Sequence, residues 1–524
     1  MRKIFWLTSL GILGTVALIG FFWPPIFYTY IFLIPIFIVG VKDCLQTKHS
    51  ILKNFPVMGH FRYLLEMIRP EIQQYFIESY EEGKPFSRAQ RSVIYQRAKR
   101  DLDTLPFGSQ LDMYSPGYEW INHSMVPKPT LHEEPKVKIG NEQCAKPYSA
   151  SLFNVSAMSY GALSKNAVMA LNRGAKLGNF YHNTGEGGLS PYHLQEGGDL
   201  VWQIGTGYFS CRTKDGKFNP EMFKEKATLE NVKMIELKMS QGAKPGHGGI
   251  LPAAKVSKEI AAIRGVEVGK TVFSPPYHTA FKTPIEMMEF LQKLRELSGG
   301  KPVGFKFCVG KRRELFSVIK AMNKTKIYPD FVTVDGGEGG TGAAPLEFSN
   351  SVGTPLNDGL IFVHNALVGT GIRDKVKIIV SGKVITGFNI LSKIALGADL
   401  CNSARGMMFA LGCIQALRCN SNHCPAGVAT QDKGLMGGLD PTHKATRVYN
   451  YHKSTIESFL EVLAAAGLSH PSELRPWHIH RRESFSTVRH YGEAYDYLAP
   501  GSLLDGKVPG SYQHAWENSR AEVF

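Results

Sequence analysis

The chain has 524 residues, 43% of them hydrophobic. That supplies one large core with appendages and argues against a string of small domains; a barrel of roughly 250 residues or more fits within it. The formal net charge is +15, but Lys and Arg are scattered and never interleave with aromatics in a block, which favours anionic small molecules or an anionic membrane face over nucleic acid.

The N-terminus carries no charged residue from Ile4 to Val41. Ile4 to Trp23 alone is long and apolar enough for a bilayer-spanning helix. Pro24 and Pro25 interrupt the run, and Ile26 to Val41, with Pro35 inside it, continues it. Arg2 and Lys3 precede the pair, Lys42, Lys48, Lys53 and Arg62 follow it, and the connection has no Lys or Arg. The expected arrangement is a transmembrane hairpin over 1–44 with both ends, and the catalytic domain, on the cytoplasmic side of the inner or cytoplasmic membrane. No small-x-small cleavage site follows the apolar run before the prolines, against a removed signal peptide.

Residues 45–125 read as a charged helical linker or collar, with helices expected over Pro70–Tyr80 and Ser87–Asp101. Beyond it, short apolar runs at Met234–Met239, Val303–Val309, Phe331–Val334 and Lys377–Val380 alternate with amphipathic stretches at Glu286–Leu297, Glu314–Met322 and Phe388–Leu396. Such alternation predicts βα units on a parallel sheet. Glycines stand directly after the strand runs, as in Asp335-Gly336-Gly337 and Ser381-Gly382, the position of active-site loops in α/β barrels. The stretch after about 470 reads as an arm laid on the domain.

Gly339-Gly340-Thr341-Gly342 and Ser381-Gly382 offer backbone N–H groups to a phosphate, and Arg405, in Ala404-Arg405-Gly406, a bidentate cation. Gly337-x-Gly339-x-x-Gly342 also matches a dinucleotide fingerprint, with Asp358 downstream, but the following Ala343-Ala-Pro is a poor helix start. Glu236 and Lys238, two apart on a strand, share a face, and Lys306 interrupts an otherwise apolar strand. A buried lysine needs an anion, either a structural carboxylate or a cofactor edge.

Eight cysteines are too few for a disulfide framework in a chain this long, and three crowd into Cys413-x5-Cys419-x4-Cys424-Pro425. Three soft thiolate donors in a short polar loop suit an iron–sulfur cluster. Zinc, with His423 nearby, and three buried structural thiols are the other readings.

The segment from Cys413 through His423-Cys424-Pro-Ala-Gly-Val-Ala-Thr-Gln431 resembles the [3Fe–4S] segment of glutamate synthase large subunits. Met158-Ser-Tyr-Gly-Ala-Leu-Ser164, Asn183-Thr-Gly-Glu-Gly-Gly188, Ser240-Gln-Gly-Ala-Lys-Pro-Gly246, Ser274-Pro-Pro-Tyr-His278 and the glycine motifs above agree in the same order. The resemblance implies a (β/α)8 TIM barrel over 126–470 that binds FMN and a [3Fe–4S] cluster and reduces 2-iminoglutarate to L-glutamate, followed by a C-terminal arm over 471–524. It implies cluster ligands Cys413, Cys419 and Cys424. FMN contacts fall on Met158, Ser159, Gly161, Gln241, Lys306, Asp335, Gly336, Gly337, Gly340, Thr341, Gly342, Ser381, Gly382, Ala404, Arg405 and Gly406. Gln241, Lys244 and Arg264 would bind the 2-oxoglutarate part, Glu186 would handle the imine proton, and Lys306 would stabilise anionic reduced flavin.

His247 departs from the family pattern, which usually has Glu there, and points to a different 2-oxo or imino acid as the alternative substrate. No glutaminase, β-helix or NADPH domain is recognisable, so ammonia is expected free or from a partner's glutamine nitrogen. Electrons are expected from a ferredoxin or a reductase subunit. A membrane-associated electron-transfer or scaffold subunit is the remaining reading.

Overall fold

β-Branched and aromatic side chains suit a pleated surface covered on both faces, and several such runs join shorter, more polar strands in a closed barrel of eight. The computed structural model describes all 524 residues. In chain order the barrel strands are β1 Phe153–Val155, β2 His182–Asn183, β3 Leu200–Ile204, β4 Val232–Lys238, β5 Val303–Cys308, β6 Phe331–Asp335, β7 Lys377–Ser381 and β8 Leu400–Ser403. Each is parallel to the next, and β8 pairs with β1, so no edge is left. The expected barrel is therefore present, and the four strand runs read from sequence are β4 to β7 within one or two residues.

The amphipathic stretches become the outer helices Pro284–Leu297, Arg312–Thr325 and Gly387–Leu396. Two of them start on capping boxes: Thr283 Oγ1 accepts from Glu286 N at 3.2 Å while the Glu286 carboxylate accepts from Thr283 N, and Thr386 pairs with Asn389 in the same way. The long helix Pro441–Ala465 packs on Lys165–Gly178, where a Cβ on Gly174 would lie 2.7 Å from Val448. The two backbones approach too closely there for any larger residue.

At the N-terminal end of the strands a hairpin, Val137–Ile139 with Tyr148–Ala150, corks the barrel. Its Ile139 and Ala150 join Tyr181, Val201, Met234, Phe331, Ile379 and Leu400 in one buried cluster. Below it Asp330, fully buried, accepts from Val303 N and Asn141 N at 2.8 Å and pairs with buried Arg295 at 3.0 Å. Glu119–Ile121 and Ile479–Arg482, from either side of the barrel in sequence, pair in a small antiparallel sheet completed by Val488–His490.

The chain divides into two compact units, Met1–Ala89 and Gln90–Phe524. In the first, helices Arg2–Phe22 and Pro24–Leu45 are long and apolar enough to cross a membrane, and almost none of either is buried within the protein. Tyr30 donates to Leu13 O at 2.8 Å and the Phe5 and Phe37 rings stack, joining the two helices. The helix expected over Pro70–Tyr80 instead runs Gly59–Ile72, with a π-helical turn over Gln73–Ile77. The apolar spacing of Phe61, Leu64, Leu65 and Ile68 extends it upstream, so Pro70 falls in its last turn. Arg88–Lys99 matches the second expected helix of this region.

Removing one partner of a buried ion pair strands the other charge. Asp330→Ala is expected to destabilise the protein by about 3–5 kcal/mol, measured by denaturant unfolding in detergent, because Arg295 has no other buried carboxylate at hand. An unchanged midpoint would remove this pair from the account of the barrel floor.

Candidate active site

The C-terminal ends of β1 to β8 gather the loops that carry most of the sequence-predicted residues. β4 ends in Lys238 and β5 carries Lys306 beside it in register, so two ammonium groups are neighbours in a largely enclosed space. Like charges so placed repel, and the structure separates them by giving each its own carboxylate. Lys238 Nζ lies 2.6 Å from Glu186 Oε1, on the loop after β2, and also contacts Gln241 Oε1. Lys306 Nζ lies 3.2 Å from Asp335 Oδ2, at the end of β6.

Beneath them Glu236, facing the barrel interior as its spacing from Lys238 implied, accepts from Asn183 Nδ2 at 2.8 Å, Gln203 Nε2 at 2.6 Å and Thr333 Oγ1 at 2.6 Å. Burial would lower the Lys306 ammonium, but Asp335, Glu236 and Glu186 together hold it above its ordinary value. Burial would likewise raise the Glu186 carboxyl; the Lys238 ammonium, with Lys244 and Arg264 behind it, overrides this and holds it below 4.5.

Lys244 is buried and donates to Ala343 O at 2.6 Å, joining the loop after β4 to the glycine loop after β6. Burial, and then the Lys238 charge, lower its ammonium to about 8 against the pull of Glu186. Arg264 is buried at the end of the helix Lys258–Arg264, donates to Tyr160 O at 3.1 Å and lies over the Phe209 ring. Burial lowers it to about 10, and Glu186 opposes the shift. Glu186, Lys244, Arg264 and Gln241 are thus in one electrostatic neighbourhood, as the sequence reading expected. A Cβ on Gly187 would lie 2.7 Å from Arg264 Nη2 and from Ser159 Cβ, so the β1 loop with Met158, Ser159 and Gly161 closes the same corner.

The phosphate-type elements lie in the loops after β6, β7 and β8. Ser381 Oγ, at the end of β7, is 3.1 Å from Ser156 Oγ at the end of β1, and both are buried. Arg405 Nη2 donates to Glu338 O at 2.6 Å, and a Cβ on Gly340 would sit 2.7 Å from the Arg405 side chain, so the glycine loop lies against the guanidinium. Glu338 in turn accepts from Leu356 N at 3.0 Å, at the start of the helix Leu356–Gly369. Gly242 N donates to Asp335 Oδ2 at 3.0 Å, and a Cβ on Gly242 would lie 1.7 Å from Gly336 O. Only glycine permits that approach, which presses the loop bearing Gln241 and Lys244 onto Gly336 and Gly339.

Cys413, Cys419 and Cys424 follow the helix Arg405–Leu411, Cys424 buried and the others half-buried. Burial, with a contribution from the other two thiols, pushes Cys413 up to about 12, and burial and Cys424 raise Cys419. The three therefore lie within mutual electrostatic reach, although no group of three or more His, Cys, Asp or Glu side chains is gathered at metal-binding distances. Tyr95 OH donates to Cys413 O at 2.6 Å, and a Cβ on Gly342 would lie 4.0 Å from Cys419 O, so the cysteine loop borders the glycine loop.

The sequence reading missed several members. Lys255 is buried, donates to Ala162 O at 3.0 Å and Ala429 O at 2.7 Å, and carries its charge toward Cys419 and Cys424. His278, in the Ser274–His278 motif, has Nε2 2.8 Å from Lys238 O and Nδ1 3.0 Å from Tyr208 OH, and burial lowers it to about 4. The signal for both was weak: one lysine among many, and a motif without an assigned role. His247 Nδ1 lies 2.9 Å from Gly248 O, with its ring edge-on to Phe348.

Residues 121–469 match the profile described as a conserved region in glutamate synthase. The chain belongs to the glutamate synthase family. It is 41% identical over 492 residues to the glutamate synthase large subunit-like protein YerD of Bacillus subtilis, spanning 86% of this chain and 93% of that one. An archaeal glutamate synthase [NADPH] of Methanocaldococcus jannaschii is 34% identical over 322 residues, 61% of this chain and 60% of the relative's length. The glutamate synthase [NADPH] large chain of B. subtilis is 32% identical over 330 residues, 20% of its length. The family makes this chain an oxidoreductase of glutamate synthase type. Among solved structures, mandelate oxidase with (S)-2-phenylpropionate is similar at a TM-score of 0.41 and 14% identity, covering 76% of this chain and 98% of that one.

The Lys238–Glu186 pair generates a test with a definite sign. Glu186 is held below 4.5 in the native protein, so its contribution to stability is present above that pH and lost as pH falls. In Lys238→Met burial dominates and the carboxyl rises above its unfolded value, so the variant is expected to lose stability as pH rises through neutrality. Thermal unfolding from pH 5 to 8 should show no slope from this site in the native protein and a fall with rising pH in the variant, and adding Glu186→Gln should abolish the variant's slope. Parallel profiles would contradict the pairing.

Proposed function

We propose that this chain binds FMN at the barrel mouth and a [3Fe–4S] cluster beside it, and reduces 2-iminoglutarate, formed from 2-oxoglutarate and ammonia, to L-glutamate. The observation that carries the reading is the set of cations Lys238, Lys244 and Arg264 around one ionised carboxylate, Glu186, next to a glycine-lined loop in a chain of this family.

The residues fit both groups. A flavin phosphate needs backbone N–H donors and a cation; Gly340 to Gly342, Ser381, Gly382 and Arg405 would hold it, with Lys306 and Gln241 toward the ring. Cys413, Cys419 and Cys424 would hold the cluster, iron displacing the thiol protons that burial retains, with the Lys255 cation balancing its charge. When bound, FMN would supply hydride chemistry and the cluster one-electron transfer.

The chain's own groups do the rest. Lys244 and Arg264 supply the cations that the two substrate carboxylates require. Glu186, held as an anion by Lys238, orients an iminium nitrogen by accepting its hydrogen bond; it is not a resting acid. Asp335 and Glu236 keep Lys306 charged where negative charge develops. A ferredoxin or a reductase subunit would supply the electrons, and ammonia would arrive free or from a partner. The two apolar helices anchor the chain in the cytoplasmic membrane with the barrel on the cytoplasmic side. His247, edge-on to Phe348 in the loop after β4, favours a second reading in which a related 2-oxo or imino acid is used.

Anaerobic turnover with reduced ferredoxin, 2-oxoglutarate and ammonium is expected to yield L-glutamate; no product from protein replete in both cofactors would refute the substrate assignment. Cys419→Ser is expected to abolish the oxidised-state [3Fe–4S] EPR signal while leaving the flavin absorbance. The Lys244 ammonium, lowered to about 8, is fully present below that pH and lost above it. KM for 2-oxoglutarate is therefore expected to climb as pH rises through 8, and Lys244→Arg to flatten that limb.

A further inference from the structure

The helix Gly59–Ile72 and the π-helical turn Gln73–Ile77 leave most of their apolar side chains exposed. Only Gly59 of the helix is buried. Phe61, Leu64, Leu65, Ile68 and Ile72 recur at spacings of three and four, which places them on one stripe. Leu64 is 47% and Leu65 55% exposed, and Phe76 in the following turn is 84% exposed. The opposite face carries Arg62, Glu66 and Arg69, with Arg62 paired to Glu66 at 2.9 Å. Contiguous apolar exposure on this scale marks an interaction surface.

The position of this helix is tied to the end of the apolar pair. Asp43, buried at the end of the second apolar helix, accepts from Val57 N at 2.9 Å and pairs with His60 Nε2 at 2.9 Å. One carboxylate thus fixes the first turn of Gly59–Ile72 against the end of Tyr30–Leu45, the end flanked by Lys42, Lys48 and Lys53. A helix held there, with an apolar stripe on one side and arginines on the other, has the form of an interfacial helix.

We propose that residues 59–77 lie in the plane of the cytoplasmic leaflet, with Phe61, Leu64, Leu65 and Ile68 in the acyl boundary and Arg62 and Arg69 among anionic headgroups. The occupant of the stripe is lipid, because Asp43 ties this helix to the end of the membrane hairpin and basic residues flank that end. This inference rests on the hairpin reading and adds a third, non-spanning contact to it.

The test uses the full chain in vesicles of phosphatidylethanolamine and phosphatidylglycerol, with p-benzoylphenylalanine placed singly at Leu65, Ile68, Glu66 or Leu18. After irradiation, adducts are read by mass spectrometry. Lipid adducts at Leu65 and Ile68 and their loss at Glu66 are expected. Adducts at Leu65 and Ile68 to a second copy of the chain, or no adduct at either, would overturn the proposal. Leu18 lies within the first apolar helix and reports on the hairpin separately: no lipid adduct there refutes the hairpin, while Leu65 and Ile68 still decide whether the helix meets the bilayer.

Discussion

The barrel mouth concentrates buried charge, and its balance governs the arrangement around it. Lys238 and Lys306 are adjacent in register on β4 and β5, a placement that neither solvent nor an apolar interior would stabilise. Glu186 and Asp335 answer them from β2 and β6, and Glu236 reaches across the interior to side chains of β2, β3 and β6. The carboxylates and lysines thereby fix one another's protonation states. Removing any one changes the field at the others, which is why the site functions as a set.

The same logic extends outward. Gly242 approaches Gly336 so closely that the loop with Gln241 and Lys244 is pinned to the loop after β6. Lys244 ties it again through Ala343 O. Lys255 links Ala162, in the β1 loop, to Ala429, in the cysteine segment. Lys244, Lys255, the glycine loop and the cysteines thus share one rim, so a change of charge at one is felt at its neighbours through short, low-dielectric distances. The cork beneath, held by the Arg295–Asp330 pair, stabilises the barrel from the opposite end and leaves the mouth to chemistry.

Much of this was legible in the sequence, unevenly and for physical reasons. β4 to β7 were visible because consecutive β-branched and aromatic residues form a doubly covered strand. β1 and β2 were not, being short and partly polar: His182 and Asn183 make up all of β2. The helix at Pro70 was displaced because proline was read as an early helical residue, whereas the upstream stripe of Phe61, Leu64, Leu65 and Ile68 carries the helix. The glycine loops and the cysteine triplet were legible because those residues keep close spacing along the chain, whereas Glu186, Gln241, Lys244 and Arg264 were named from the resemblance to glutamate synthase. Lys255 and His278 were not, since their partners are distant in sequence.

The sequence by itself determined the two long apolar segments, the βα alternation, the cysteine spacing and the family, because each depends on residue type over short separations. Tertiary structure alone decided which carboxylate answers which lysine, that Glu186 is held ionised, and that the cysteine loop borders the glycine loop. Those are pairings across the barrel between residues far apart in sequence, and burial sets their strength. Local pattern records that a charge is present; only the closed sheet determines what stands beside it.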